Sequence, residues 1–147
     1  MTKAEAEDYT RGSYYEGREF FHGTSSTAAW GIITEGAKLT SDRVNTYGDG
    51  FYLAFRREIA SEYARSKYPP CIVRARVRVN NPKRIADSID LDGFLIENDI
   101  AFDDNQATAL TNLLLLRGYD ALEVGGDRIL VIIFDLQQIA VFQIEEL

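Results

Sequence analysis

Two stretches decide the fold of this chain: FFHGTSSTAAWGIITEGAKLT at residues 20–40 and YGDGFYLAFRREIASEYA at residues 47–64. In each stretch a short apolar run leads directly into a segment whose apolar residues recur at helical spacing. Turn-forming residues such as Asp42, Asn45 and Gly48 lie between the two runs. The chain therefore begins with the order strand, helix, loop, strand, helix.

Outward from these stretches, the same patterns predict the remaining elements. Ser25 or Ser26 is expected to cap the first helix, which runs to about Glu35 and ends at Gly36. Strands are expected over residues 19–22, 51–55, 71–79, 119–124, 129–135 and 140–144. Helices are expected over residues 57–66 and from Asp103 or Asp104 to Leu116, with a helical turn near residues 91–96. The order predicts an α+β fold, with mixed, mostly antiparallel sheets and peripheral helices.

Length and composition predict one domain. The chain has 147 residues, of which 46% are hydrophobic and 27% charged, values that are ordinary for a globular protein. We expect residues 1–17 to form a flexible or helical arm and residues 18–147 to form the domain. The first residues have no apolar core, and no apolar run approaches the ~20 residues of a membrane span. These features favour a cytoplasmic protein, or an effector secreted without a signal peptide.

Single copies of the metal-binding residue types exclude several classes of site. Cys71 is the only cysteine and His22 the only histidine, so an intramolecular disulfide, a Cys-rich zinc site and a multi-histidine metal site are excluded. The net charge of −7 disfavours nonspecific nucleic-acid binding. Residues 1–84 carry 14 basic and 10 acidic side chains, whereas residues 85–147 carry 2 and 13. This split either marks a dipolar surface or, as we favour, has little meaning because the two halves intermix in the fold.

Two polar and aromatic clusters are candidates for a binding site. His22, Thr24 and Ser25 offer hydrogen-bonding groups around Gly23, which would let a ligand approach the backbone closely. Taken alone, this cluster is better explained by helix capping. Tyrosines at positions 52 and 63, one from a strand and one from the following helix, could sandwich a flat ring, although core packing is the more common role of a tyrosine.

Together, the two clusters resemble the diphtheria-toxin-like ADP-ribosyltransferases, including the poly(ADP-ribose) polymerase catalytic domain. That family shows His-Gly-Ser/Thr on a strand, a helix ending near "EG" or "QG", then G-x-G-[IVF]-Y-[FL]-A and a helix that ends in Ser-x-x-Tyr. Its last motif resembles ILVIIFDLQQI at residues 129–139. The resemblance covers roughly residues 19–79 and 118–144, and it implies an ADP-ribosyltransferase-like fold around an NAD cleft.

The resemblance implies a role for each matching residue. His22 would bond a ribose hydroxyl of NAD, the Gly23 backbone would clamp the nicotinamide amide, and Thr24 would support the adenosine ribose. Tyr52 and Tyr63 would enclose the nicotinamide ring. We therefore expect His22 and the two tyrosines to surround one concavity. A placement of His22 and Tyr52 on opposite faces of the sheet would overturn the family interpretation.

The chain departs from the family at two positions. The catalytic glutamate falls on Leu130 in a gapless match, and Ala60 stands where the family has a serine. In that family, an apolar residue in place of the catalytic glutamate accompanies transfer of a single ADP-ribose, or loss of activity. Glu123 on the neighbouring strand, or Asp127 or Arg128 after a shift of register, could substitute for the missing acid. The expected catalytic set is therefore His22, Tyr52, Leu130 and Glu123.

The resemblance implies an NAD-dependent mono-ADP-ribosyltransferase that needs no metal. Its expected partners are NAD and a macromolecular acceptor, a protein rather than a nucleic acid, with no membrane. A toxin or effector role, and an inhibitor or immunity protein, would fit the same reading. The alternatives are an NAD hydrolase, an RNA 2′-phosphotransferase-like enzyme and a noncatalytic module that binds NAD or ADP-ribose.

An arginine stripe is the remaining sequence feature. Arg74, Arg76 and Arg78 alternate with apolar residues along the strand expected at 71–79. The stripe could receive an anionic target. We favour the solvated face of an edge strand, where charges discourage aggregation.

Overall fold

A mixed sheet with helices on both faces makes up the fold of the computed structural model, which describes residues 1–35, 47–126 and 129–147. The strands are β1 (Phe20–Ser25), β2 (Phe51–Ala54), β3 (Pro70–Val77), β4 (Pro82–Ile85), β5 (Ala121–Val124), β6 (Leu130–Ile133) and β7 (Ile139–Glu146). The helices are α1 (Lys3–Tyr9), α2 (Ser26–Glu35), α3 (Arg57–Ala64), α4 (Ser88–Glu97) and α5 (Gln106–Leu116), with a short 3₁₀ turn at Leu136–Gln138.

The sheet order within the described residues is β4-β5-β6-β2-β1-β3-β7. Only the β4–β5 pair is parallel, and every other pair is antiparallel. The expected α+β class with a mixed, mostly antiparallel arrangement is therefore confirmed. No helix in the described part of the chain is long and apolar enough to cross a membrane.

Strand alternation divides the buried side chains between two faces of the sheet. On the face that we call the front, Ala54, Leu122 and Ile132 pack with residues of α3, α4 and α5. On the back face, Phe20, Phe51, Leu53, Val131 and Ile133 pack together with Tyr15 from the N-terminal segment. The apolar positions of each strand thus fill two cores, as expected for a sheet covered on both sides.

A discontinuity runs through the middle of the sheet, between β1 and β2. These strands share one residue pair, Phe21 with Ala54, whereas β1 pairs with β3 over six consecutive residues. Beyond Phe21 the ladder between β1 and β2 is not continued. We call this opening, between residues 22–25 of β1 and the facing part of β2, the seam.

The N-terminal segment is helical at its start and is attached to the sheet. Thr2 and Glu5 form a capping box at the start of α1. The Ser13 hydroxyl donates to the Val77 carbonyl at 2.8 Å and accepts from the Val79 amide at 2.9 Å. Together with the buried Tyr15 ring, these bonds fix the segment against the end of β3.

Most predicted elements are present, but several boundaries differ. The helix that was predicted to start at Asp103 or Asp104 starts at Gln106, with Asn105 at the N-cap position. The strand β4 was not predicted, because Pro82 reads as a stop, but it opens an edge strand there, where a missing N–H is tolerated. The first strand was predicted to end at His22 and instead continues to Ser25. The helix predicted near residues 91–96 is α4, and α5 ends at Leu116, before Gly118 at φ 86°. The predicted loop residues 40–46 and Gly36 lie outside the described residues.

Helix α5 offers a matched test of the front core. Leu114 is fully buried, whereas Leu116, two residues on, is 85% exposed. We expect Leu114→Ala to lower the free energy of unfolding by about 2–5 kcal/mol, because burial is lost and a cavity remains. Leu116→Ala should change it by less than about 0.5 kcal/mol. Urea denaturation followed by circular dichroism measures both, and equal effects would contradict the assigned faces of α5.

Candidate functional site

The His22 side chain bridges the seam. Its Nδ1 atom lies 2.9 Å from the carbonyl oxygen of Tyr52, and its ring packs at a tilt on Phe51, with centroids 4.4 Å apart. Burial lowers the pKa of His22, so the ring is uncharged at neutral pH. Because a carbonyl only accepts, the proton lies on Nδ1 and Nε2 remains an acceptor.

The Gly23 peptide groups face the seam. The Ser26 amide donates to the Pro69 carbonyl, so residues 26 and 69 form a hydrogen-bonded pair. In an antiparallel ladder, hydrogen-bonded and non-hydrogen-bonded pairs alternate, so this bond shows which residues of β1 bond to β3. By that alternation His22 and Thr24 exchange main-chain bonds with β3, while the N–H and C=O of Gly23 point toward β2. The ladder with β2 has stopped before this point, so these two groups line the opening.

Helix α3 packs directly against Gly23 on the front face. A Cβ at this position would lie 2.0 Å from the Ala60 carbonyl oxygen and 2.9 Å from the Ala64 amide nitrogen. Glycine is therefore required for helix packing, whatever else the residue does. Both Ala60 and Ala64 are buried at this contact.

The two hydroxyl residues after Gly23 have different positions. The Ser25 hydroxyl accepts from the Ala28 amide at 3.2 Å, which confirms the predicted cap of α2. Thr24 is buried and lies opposite Cys71 in β3. It shares the back face with His22, since both have the same parity along β1.

The loop before β2 holds the hydroxyl of Tyr52. That hydroxyl accepts from the Tyr47 amide at 3.1 Å and donates to the Gly48 carbonyl at 2.6 Å. Burial is the main cause that raises the pKa of Tyr52, so the phenol stays protonated. Its ring orientation is fixed by these bonds together with packing in the front core.

The same loop is anchored to α5 and β6. The Asp49 carboxylate accepts from the Thr108 hydroxyl at 2.6 Å. Gly48 has φ 97°, and a Cβ there would lie 2.7 Å from the Thr111 hydroxyl. A Cβ on Gly50 would lie 2.5 Å from the Ile132 side chain. The two glycines are thus explained by close packing within the chain.

Tyr63 projects from α3 and is 48% exposed. It directly precedes Ala64 and follows Ala60 by three residues, and these two alanines of α3 pack on Gly23. Tyr63 therefore lies on the helix that covers Gly23, on the same side of the sheet as the Tyr52 ring.

The expectation that His22 and Tyr52 share one face is wrong. His22 contacts Phe51, a back-face residue, whereas the Tyr52 ring packs with the front core. The reason is strand alternation, since residues 51 and 52 point to opposite sides of β2. This outcome counts against the family interpretation, which holds only if one ligand passes through the seam between β1 and β2 and contacts both side chains.

Leu130 lies at the start of β6, opposite Ala54 of β2. Its side chain is 6% exposed and belongs to the front core. It therefore shares a face with Tyr52, with almost no open surface of its own.

Glu123 does not lie beside Leu130. It pairs with Val131, a back-face residue, so its side chain leaves the opposite face of the sheet from Leu130. Its carboxylate accepts from the Tyr15 hydroxyl at 2.8 Å and from Arg84 at 2.9 Å. The proposed substitution of Glu123 for the missing acid is contradicted by this geometry, and Asp127 and Arg128 lie outside the described residues.

The interpretation of the arginine stripe as an edge-strand face is also wrong. Strand β3 lies between β1 and β7, and Arg76 is buried. Arg74 forms ion pairs with Glu19 and with Glu145, the second at 3.1 Å. Arg74 and Arg76 thus belong to a partly buried charged cluster, whereas Arg78 is exposed. Sequence periodicity could not show the cluster because its acidic partners are distant in the chain.

Sequence reasoning missed the seam and the Tyr15–Glu123 bond. A signal for the bond was present, since Glu123 interrupts the apolar run of β5, and a buried acid needs a partner. Among the described residues, no group of three or more His, Cys, Asp or Glu side chains could hold a metal ion.

We expect Gly23→Ala to displace α3 from β1. The added methyl would overlap the Ala60 carbonyl, which belongs to a helix backbone and cannot rotate away. The free energy of unfolding should fall by about 1–3 kcal/mol, as for other overpacked sites. In contrast, Gly93→Ala on α4 meets open space and should be neutral or stabilising by up to about 1 kcal/mol. Chemical denaturation of both variants checks the contact, and a neutral Gly23→Ala would contradict it.

The His22 environment predicts a pH dependence of stability. The folded-state pKa of His22 is lowered below its ordinary value of 6.5, so below pH ~6.5 the unfolded chain takes up a proton that the folded chain refuses. The free energy of unfolding should therefore fall by up to about 1.4 kcal/mol per pH unit below that point.

The control for this prediction is His22→Asn, which keeps an N–H donor toward Tyr52 and does not titrate. Its stability should fall less steeply than that of the unaltered protein between pH 7.5 and 5.5. Denaturation curves at each pH give the free energy of unfolding of both proteins. Subtracting one value from the other removes the contribution of the carboxylates, because these titrate in both proteins. Parallel curves for the two proteins would show that His22 is not buried in its neutral form.

No protein family model matches the chain, and no curated protein matches it in sequence.

Proposed function

We propose that this chain is an NAD-dependent mono-ADP-ribosyltransferase with an ADP-ribosyltransferase-like fold. In the reaction, the bond between nicotinamide and ribose C1′ breaks, and its electron pair leaves with nicotinamide. A nucleophilic atom of a macromolecular acceptor forms the new bond to C1′ and releases its proton to solvent. The proposal rests on the resemblance of the two motif stretches and on the chemistry of the seam.

The observation that carries the proposal is the direction of the Gly23 main chain, whose N–H and C=O point away from β3 and toward the seam. The carboxamide of nicotinamide has one acceptor oxygen and one donor NH₂ group. A neighbouring peptide C=O and N–H are complementary to that pair. Because β2 does not continue the ladder, the Gly23 groups face the seam rather than a paired strand.

The aromatic side chains next to Gly23 support the same ligand. The Tyr52 ring is held by its hydroxyl, so it offers a fixed face at little entropic cost. Tyr63 is half-exposed on α3, and could close on the other side of a flat heterocycle. Stacked aromatic pairs of this kind contribute about 0.5–1.5 kcal/mol each beyond their buried area.

His22 supports binding of a ribose from the back of the seam. Its Nε2 is an acceptor at neutral pH, because Nδ1 carries the proton. A ribose hydroxyl is a matching donor. In this arrangement NAD crosses the seam, with nicotinamide at the Tyr52 side and a ribose at the His22 side.

The absence of an acid at position 130 limits the chemistry. A carboxylate there would orient a ribose hydroxyl and stabilise the cation-like transition state, and loss of one such group typically costs about 3–4 kcal/mol. Catalysis by the remaining groups is therefore mostly orientation of NAD and the acceptor. We expect slow transfer of single units and no chain elongation.

The burial of Leu130 favours a second candidate, a noncatalytic module that binds NAD or ADP-ribose. A buried leucine makes the front core continuous at the point where the family acts on the ribose. Such a module would bind the dinucleotide through the same seam and leave it intact.

Nicotinamide release from NAD separates these functions. Release that requires an acceptor indicates a transferase, and release without one indicates a hydrolase. Binding without release indicates a module, whereas no binding at all rejects the proposal. Transfer of phosphate from an RNA 2′-phosphate to NAD would indicate the phosphotransferase alternative. Labelled NAD and mass spectrometry of the acceptor identify single units, and a polymeric product would contradict the role assigned to Leu130.

The ring contact is tested with two exposed tyrosines. Tyr63→Ala should weaken NAD binding about tenfold, since one stacking face is removed. Tyr14→Ala, at a similarly exposed tyrosine of the N-terminal segment, should leave NAD affinity within twofold. Isothermal titration of NAD measures both, and equal affinities would place the ligand elsewhere.

A further inference from the structure

Helix α4 has an outward apolar face with nothing packed on it among the described residues. Leu91 and Leu95 are buried against the front core. Ile89 and Ile96 lie on the opposite side of the helix, seven residues apart, and are 78% and 64% exposed. Gly93 lies between them, with open space around the position of a Cβ. The helix is therefore apolar on both sides, which burial in one core does not explain.

The surface around this face is acidic. Residues 85–116 contain seven acidic residues and no lysine or arginine: Asp87, Asp90, Asp92, Glu97, Asp99, Asp103 and Asp104. All seven are exposed. None of them forms an ion pair with another described residue. The nearby cations Lys83 and Arg117 instead lie over the Phe94 ring.

Folding alone does not explain this combination of exposed apolar and acidic side chains on α4. Glu97 occupies the last turn of α4, where the helix dipole disfavours a negative charge, and that turn has no basic residue. Phe102, in the segment after the helix, is a further exposed ring, at 59%. Asp87 and Asp90 accept hydrogen bonds from main-chain amides at the start of α4 and so have a structural role. Folding does not account for Asp92, Glu97 and the exposed isoleucines of the same helix. Exposed apolar side chains lower solubility, so a binding role explains this group better.

We propose that the outward face of α4, together with the exposed Phe102 ring of the following segment, binds a cationic amphipathic helix of a partner protein. Ile89 and Ile96 are separated by two helical turns, ~10.5 Å along the axis. A partner helix with apolar residues one heptad apart matches that spacing, and flanking Lys or Arg side chains match the acidic border. No step of the proposed transfer reaction uses this surface.

Charge argues against the other occupants. In a symmetric dimer through α4, each copy would bring the same acidic border toward the other, which is unfavourable. Membrane surfaces that carry anionic lipids would repel the same border. A basic protein segment satisfies both the apolar and the charged parts of the surface.

The test uses the full chain and two synthetic helical peptides. One carries leucines a heptad apart with flanking lysines, and the other has the leucines replaced by serine. Fluorescence anisotropy gives affinity, and amide chemical shifts locate the site. We expect the leucine peptide to bind more tightly and to shift resonances of Ser88–Glu97 and Phe102. The proposal would be overturned by equal affinity for the two peptides, by no binding of either peptide, or by chemical-shift changes confined to other elements.

Matched variants separate the apolar and charged contributions. Ile89→Ser with Ile96→Ser should weaken peptide binding about tenfold to a hundredfold, because two buried side chains are lost. Leu116→Ser, at an exposed leucine of α5, should change the affinity for the peptide less than twofold. Asp92→Lys should weaken binding at low salt, and Asp8→Lys on α1 should do so much less.

The remaining outcomes decide between occupants. Dimerisation that the isoleucine variant abolishes, measured by analytical ultracentrifugation, would show that a second copy covers the face. Flotation with vesicles of phosphatidylcholine and phosphatidylserine, again abolished by that variant, would show a membrane site. Either result would overturn the assignment of a basic protein partner.

Discussion

The hydrogen bond between His22 Nδ1 and the Tyr52 carbonyl connects the two halves of the sheet where the main chain does not. After the single pair of Phe21 with Ala54, strands β1 and β2 separate, and a side chain replaces the ladder. An unpaired buried carbonyl would cost about 1–3 kcal/mol, so the imidazole has a structural role here. The same bond fixes the histidine tautomer, and hence the acceptor that faces a ligand.

Close packing of α3 on β1 depends on the same region. Gly23 admits the helix backbone because it has no Cβ, and the small residues Ala60 and Ala64 complete the contact. Helix α3 in turn carries Tyr63, on the side of the sheet where the Tyr52 ring packs. A glycine that reads as a sign of ligand approach is therefore also required for the fold. The helix contact and the proposed ligand contact use different sides of Gly23. The backbone of α3 occupies the space of a Cβ on the front face, whereas the peptide groups face the seam.

Charge is distributed in two different ways in this molecule. The arginines of β3 are paired with acidic residues that come from both ends of the chain, including Glu19 and Glu145. The acidic residues of α4 and the following segment have no such partners within the described residues. The first arrangement is neutralised inside the fold, and the second leaves a negative surface. The charge split between residues 1–84 and 85–147 thus has a local structural meaning at α4.

By itself, the sequence determined the element types, the α+β class and most strand positions, because hydrophobic periodicity and turn residues act locally. It also suggested Gly23, Tyr52 and Tyr63 as members of one site, which is still a proposal. Tertiary structure decided which face each side chain occupies, and it separated His22 from the Tyr52 ring. It placed Glu123 away from Leu130, in a bond with Tyr15, and it buried Arg76 and paired Arg74 with acidic residues. These outcomes depend on strand order and register, which pair residues more than 50 positions apart and leave no periodic signal in the chain.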